Sequence, residues 1–313
     1  MESLRAAYSV QAKMVESQAD AEMVDLDTLF VGDPASIEMR LKGILPTAAS
    51  LSDKSYFVQI LSRLATAQAV QKNFEGAFTS LDEAEKACIA SDFAGWARLV
   101  LEKGRVFQQS ENLKEAKRLF EEVFQFSREH QLDDYACDAA HMVAIVTKEV
   151  REKIRWNEIA IGLATSSNVK KANAWLGSLY NDLGSNYFEA KEYEKALQPF
   201  QRALELREAE GVAENIRVAK WQIARVMRCL DWLDEALIVL TALKGEQDSL
   251  VGQDEMTILL RGYIYMELAE VYAAKGDAKA KEHAQIAFKD LSSIPWVFQV
   301  EPERNTRLKE LLE

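Results

Sequence analysis

Residues 179–211 read LYNDLGSNYFEAKEYEKALQPFQRALELREAEG, and the fold is decided by how this stretch is read. Its first half sets Leu179, Leu183, Tyr187 and Ala190 at helical spacing, with Tyr180 beside them. Its second half sets Tyr193, Ala196, Leu197, Phe200, Ala203 and Leu204 on one stripe. Apolar residues that return every three or four positions mark amphipathic helices. Only the polar pair Lys191 and Glu192 separates the halves, so the two helices pack antiparallel. Gly184 lacks a side chain and admits a neighbouring helix closely. Gly211 is placed to end the second helix as a left-handed cap.

The same beat runs outward in both directions. Ala77, Ala116, Trp156, Ala196 and Ala236 lie about 40 residues apart, and Phe74, Leu113, Ile154, Tyr193 and Leu233 stand just upstream of them. Self-similarity at such a period is the signature of stacked helix pairs. The unit at 58–90 carries Leu64, Ala65, Phe74, Ala77, Leu81 and Ala84. The unit at 97–129 carries Gly104, Phe107, Leu113, Ala116, Phe120 and Val123. The unit at 217–245 supplies Ile223, Ala224, Met227, Leu233, Ala236, Leu240 and Leu243. That at 262–291 supplies Tyr265, Leu268, Ala269, Tyr272, Ala280, Ala284 and Ala287. The unit at 137–165 is the most degenerate. Trp156 stands where a small residue belongs, so the regular stacking is expected to depart from its pattern there.

The 179–211 unit resembles the tetratricopeptide repeat. The family pattern of aromatic, Leu, Gly and Tyr in the first helix, then aromatic, Ala, aromatic and Ala-Leu around the second, is filled by Tyr180, Leu183, Gly184, Tyr187, Tyr193, Ala196, Phe200, Ala203 and Leu204. The spacing of about 40 resembles the longer-repeat members of the family. The resemblance implies an all-α fold, a right-handed superhelix of about six helix pairs. A single domain is expected over 1–313. Its helical caps fall at 1–53 and 292–313 and its repeats at 54–291. In the N-terminal cap, Leu4, Tyr8, Met14 and Val15 outline a long helix. Ile37, Leu41, Ile44 and Leu45 outline a shorter one that Pro46 is expected to end. Pro302 opens a last charged helix to Leu312.

Composition narrows the function. The 313 residues carry a net charge of −12, which demotes nucleic acid and anionic membranes as partners. No apolar run approaches the ~18 residues that span a bilayer. The start MESLRAAYSVQAK lacks a basic segment followed by an apolar run. The three cysteines, Cys88, Cys137 and Cys229, are scattered. A soluble cytoplasmic protein is expected, with no cofactor. The histidines His130, His141 and His283 have no metal spacing, and there is no phosphate-cradling glycine loop and no GxSxG elbow, so no catalytic residue is assigned.

The resemblance further implies that the first helix of each pair lines a concave groove. Family positions place there Arg98, Arg105 and Gln109; Asp138, His141 and Lys148; Asn181, Ser185 and Phe188; Trp221, Arg225 and Arg228; and Tyr263, Met266 and Glu270. Arginine can pair bidentately with carboxylates, and aromatic rings anchor partners at low entropic cost. The set suits a protein or peptide segment with acidic and apolar side chains. The competing account is an inert face whose charges are solvated or paired with nearby glutamates. For Trp221, packing between repeats competes with ligand contact. The Lys and Asn clamp by which some members hold chaperone tails is not reproduced. The leading function is therefore a non-catalytic adaptor, scaffold or assembly factor. A ligand-responsive sensor and a structural subunit of a larger assembly are the alternatives.

Overall fold

The computed structural model describes residues 32–250 and 254–313. The expected helix around Leu4, Tyr8, Met14 and Val15 lies outside the described residues. Among these, every regular element is a helix. They divide into two compact units. The first holds the described residues up to Lys148 together with Gly162–Asn173, and the second holds Glu149–Ile161 and Ala174–Glu313.

In the first unit, helices α1 (Pro34–Ser50), α2 (Ser55–Val70), α3 (Phe74–Ala87), α4 (Phe93–Gln109), α5 (Leu113–Glu129) and α6 (Asp133–Val146) follow one another. Neighbours in sequence pack together, and α2 also packs on α4. The stripes read from the sequence are what they bury. Val58, Leu61, Ala65, Ala77, Leu81, Ala84, Leu99 and Val106 form one core. Helix α7 (Val150–Ser166) begins in the second unit and ends in the first, and the short α8 (Lys170–Asn173) packs on α6.

The second unit continues with α9 (Leu176–Glu189), α10 (Tyr193–Glu210), α11 (Ala213–Cys229), α12 (Leu233–Asp248), α13 (Glu255–Ala274) and α14 (Lys279–Ser292). It closes with α15 (Val297–Val300) and α16 (Pro302–Leu312). The pairs α9–α10 and α13–α14 pack tightly, and α16 lies on α14 and α13. Phe200 is fully buried with Ala196, Ile223 and Val226. A ring this size contributes roughly 1.5–3 kcal/mol when removed from water.

One turn design joins the helices. The N–H of Asn73, Asn112, Glu192, Trp232 and Asp277 each donates to a carbonyl in the last turn of the preceding helix, at 2.9 Å. The residue before each of them is left-handed: Lys72, Glu111, Lys191, Asp231 and Gly276. This bond satisfies a carbonyl that the ending helix would leave orphaned. In the first unit Asn73, Asp92 and Asn112 then cap the next helix by accepting from Gly76, Gly95 and Glu115. Gly211 has φ 75°, the left-handed cap its position predicts.

Two expectations are corrected or sharpened. Pro46 does not end its helix, because α1 runs through it to Ser50. Proline costs an interior helix about 3 kcal/mol. Here it stands within the last turns, while Ile37, Leu41 and Ala48 stay buried on the same helix. Trp156, in the small-residue slot, is only half-buried, whereas Ala77, Ala116, Ala196 and Ala236 are fully buried. Helix α7 buries Ile154, Ala160, Leu163 and Ala164 instead, and the boundary between the two units runs through it.

Candidate functional site

The groove positions read from the sequence fall into two different environments. In the first unit, Arg98, Arg105 and Gln109 lie on α4, Asp138 and His141 on α6, and Lys148 in the turn that follows. Glu102, one turn beyond Arg98, is 2% exposed and gathers the charges. Arg98 Nη1 donates to its Oε1 at 3.1 Å and Arg105 Nη1 to the same oxygen at 2.9 Å. Thr66 Oγ1 donates to its Oε2 at 2.8 Å. Arg105 Nη2 reaches on to Asp138 Oδ1 at 2.5 Å, and the Arg98 guanidinium lies 4.8 Å over the Tyr135 ring.

Burial alone would raise the pKa of Glu102. The charges of Arg105, Arg98 and Arg63, with the Thr66 hydrogen bond, outweigh it and hold the carboxyl at about 2. The arginines expected to meet a partner's acids thus already hold acids of their own chain. Through Thr66 to Glu102 and Arg105 to Asp138, the network ties α2, α4 and α6 together. Gln109 and His141 are half-buried, and Lys148 is exposed.

In the second unit Asn181 and Ser185 make local bonds. Ser185 Oγ donates to the Asn181 carbonyl at 2.9 Å, and Asn181 Nδ2 donates to Asp182 at 3.4 Å. Trp221 is 7% exposed and stacks on Tyr263, centroids 5.2 Å apart and planes 16° from parallel. Glu270 receives two hydrogen bonds from Arg307, at 2.8 and 2.9 Å.

Phe188, Arg225, Arg228 and Met266 line a cavity of about 400 Å³. Its other walls are Tyr193, Cys229, Glu267, Glu303, Arg304 and Arg307. Three first helices of successive pairs (α9, α11 and α13) therefore meet there, α10 adds Tyr193, and α16 adds Glu303, Arg304 and Arg307. Arg228 Nε donates to Glu267 Oε2 at 2.6 Å. Arg304 pairs with Glu301 at 2.6 Å and lies 4.8 Å over the Tyr263 ring, whose hydroxyl donates to the same Glu301 at 2.9 Å.

Arg225 differs from its neighbours. Its guanidinium carbon sits 3.8 Å over the Phe188 ring and 5.7 Å from that of Trp221. The Glu267 carboxylate facing it is 3.7 Å from Nε, beyond hydrogen-bond reach. Among the described residues its five N–H donors find no hydrogen-bond acceptor. Burial holds it below the ordinary arginine value, against the pull of Glu267, and Arg304 and Arg228 add to the lowering. Burial also pushes the Cys229 thiol up, so it stays protonated at neutral pH.

Sequence reasoning missed Arg304, Arg307 and Glu267. The first two lie beyond the repeats, where no period aligns them. A signal did exist, because Arg304 and Arg307 stand three apart on the helix that Pro302 opens. Among the described residues no cluster of three His, Cys, Asp or Glu side chains could hold a metal ion, and no helix is long and apolar enough to cross a membrane.

Residues 176–210 match the sequence pattern of the tetratricopeptide repeat. No curated protein matches the chain in sequence. Solved structures match it in fold. A signal transduction ATPase with numerous domains, with a tetratricopeptide repeat sensor, from Pyrococcus horikoshii superposes with TM-score 0.67 at 19% identity. The match covers 90% of this chain and 44% of that one, so the chain spans less than half of that protein. The apo form of RapI superposes with TM-score 0.65 at 14% identity, over 87% of this chain and 74% of that one. A Rap protein complexed with competence and sporulation factor gives 0.52 at 14% identity, over 83% and 72%. Identities this low speak for the fold alone. With a tetratricopeptide repeat matched at α9–α10 and the same helix-pair design on either side, the chain is a tetratricopeptide-repeat protein.

Proposed function

We propose that this chain is a non-catalytic interaction module that holds a segment of a partner protein in the arginine-lined cavity of its second unit. The observation that carries the reading is Arg225. A cation this enclosed is costly unless an acceptor meets it. Here the protein stacks it on Phe188 and leaves its donors open to the cavity. The cavity combines that cation with apolar walls from Phe188, Tyr193 and Met266, a mixture suited to a peptide with acidic and apolar groups. The Rap protein of similar fold, complexed with competence and sporulation factor, supports a binding role for such helix pairs.

The test is affinity capture with wild-type protein and with Arg225→Gln combined with Phe188→Ala. Glutamine is chosen over charge reversal because Glu267 lies buried beside the site. A partner held by the wild type and lost from the doubly substituted chain, with helicity intact at the assay temperature, is expected. Equal capture by both proteins would refute the reading.

A further inference from the structure

Four guanidinium groups border the cavity: Arg225, Arg228, Arg304 and Arg307. Three carboxylates are paired with them inside the unit. Glu267 takes Arg228, Glu301 takes Arg304, and Glu270 takes Arg307 through both oxygens. Among the described residues Arg225 alone of the four gives no hydrogen bond to a carboxylate, and shares Glu267 at 3.7 Å. Glu303 and Glu310 carry further negative charge nearby, but both are exposed, where water screens them. What sets Arg225 apart is therefore its unused N–H donors beside a shared carboxylate, not an excess of charge.

Resting on the reading of this cavity as the binding site, we propose that it recognises a carboxylate carried next to an apolar group, and that the occupied site locks the chain's own C-terminal helix α16 in place. A carboxylate matches one guanidinium whose N–H donors no acceptor takes. A phosphate dianion would bring a second charge against the buried Glu267. The planar fork of arginine fits two carboxylate oxygens. The Phe188 and Tyr193 rings, 5.1 Å apart between centroids, offer the adjoining apolar contact.

The role of α16 follows from where Arg304 sits. That residue belongs to the cavity wall, yet it is carried by a helix outside the repeats. Helix α16 is held by the fully buried Leu308, by Leu311 and Leu312 partly buried on the same core, by Arg304 over the Tyr263 ring, and by the exposed pairing of Arg307 with Glu270. A helix of three turns in which Leu308 alone is fully buried opens more readily than the pairs it covers. A ligand that needs α16 closed must, by linkage, hold it closed.

The experiment uses the full chain and four probes. They are acetyl-alanyl-phenylalanine with a free C-terminus, its C-terminal amide, the same amide extended by one glutamate, and inorganic phosphate. The two acids distinguish a chain-end carboxylate from a side-chain one. Binding is read from arginine Nε–H resonances, and α16 from amide hydrogen exchange. At least one acid is expected to bind, with affinity reduced about tenfold or more by Arg225→Gln, the loss of one charge-assisted contact. At ten times its dissociation constant that acid should slow exchange in α16 about tenfold. Arg225→Lys, which keeps the charge and loses the fork, serves as a milder second variant and should also weaken binding. The proposal falls if the neutral amide binds as well as the acids, if phosphate binds more tightly than both, or if α16 exchange is unchanged at saturation. If no acid binds while a protein partner is still captured through Phe188, the interaction reading stands and the carboxylate assignment fails.

Discussion

Replacing Gly184 by alanine should destabilise the second unit, although the same change elsewhere in a helix stabilises. A methyl group built on Gly184 would lie 2.7 Å from Cδ1 of Phe200 and 2.8 Å from its Cε1 and Cγ. Carbon atoms pack at about 3.5–4.0 Å, so the ring would have to move by roughly 1 Å. Phe200 is fully buried against Ala196, Ile223 and Val226, which leaves it no open side. Overpacking of this kind costs about 1–3 kcal/mol, and the overlap with three ring atoms argues for the upper end. Alanine returns about 1 kcal/mol of helix propensity. The expected net loss is about 2 kcal/mol.

Gly162 provides the control. It lies within α7, and nothing stands within 4 Å of an added methyl, so Gly162→Ala should gain up to about 1 kcal/mol. Two compact units make a single unfolding free energy ill-defined. Native-state hydrogen exchange of α9 and α10 amides reads the affected unit directly. Phe200→Leu should cost less in the Gly184→Ala background than alone, because the smaller side chain relieves the overlap. If Gly184→Ala is neutral or stabilising, or the two substitutions add independently, the close approach of α10 to α9 is not what Gly184 serves.

Two further outcomes follow from other parts of the molecule. Glu102, held at about 2 against an ordinary 4.5, stabilises the first unit fully above pH 4.5 and loses that stabilisation as pH falls toward 2. The difference is worth about 3 kcal/mol, and acid titration of exchange protection in α4 should show the loss, with Glu102→Gln abolishing it and costing about 3–5 kcal/mol at neutral pH. At the turns, Lys191 is left-handed with φ 59° and Gly211 with φ 75°. Lys191→Gly should therefore stabilise by up to about 1 kcal/mol while Gly211→Ala destabilises by a similar amount, both measurable by denaturant unfolding with exchange as the readout.

The helix pairs were legible because burial follows the apolar stripes. Ala196, Phe200 and Ala203 are buried where the period of 179–211 puts them. Local rules failed where tertiary packing overrode them. Pro46 ought to stop α1, yet Leu41 and Ala48 on either side are held in the core. The repeat pattern numbered positions on α9, α11 and α13, and four of them, Phe188, Arg225, Arg228 and Met266, line a common cavity. What the pattern could not convey was pairing. Arg98 and Arg105 looked available, but Glu102 stands between them at helical spacing and Asp138 approaches from the next pair. Nor could a period place α16, which lies beyond the last repeat and brings Arg304 into the cavity.

The most direct test of a partner-holding cavity in the second unit is photocross-linking. A photoreactive phenylalanine analogue is placed at Phe188, on the cavity wall, and separately at Met39, which is 70% exposed on α1 in the first unit. A captured partner should cross-link through position 188 and not through position 39, and Arg225→Gln should diminish the product. Cross-linking at 39 with none at 188 would contradict a partner-holding cavity.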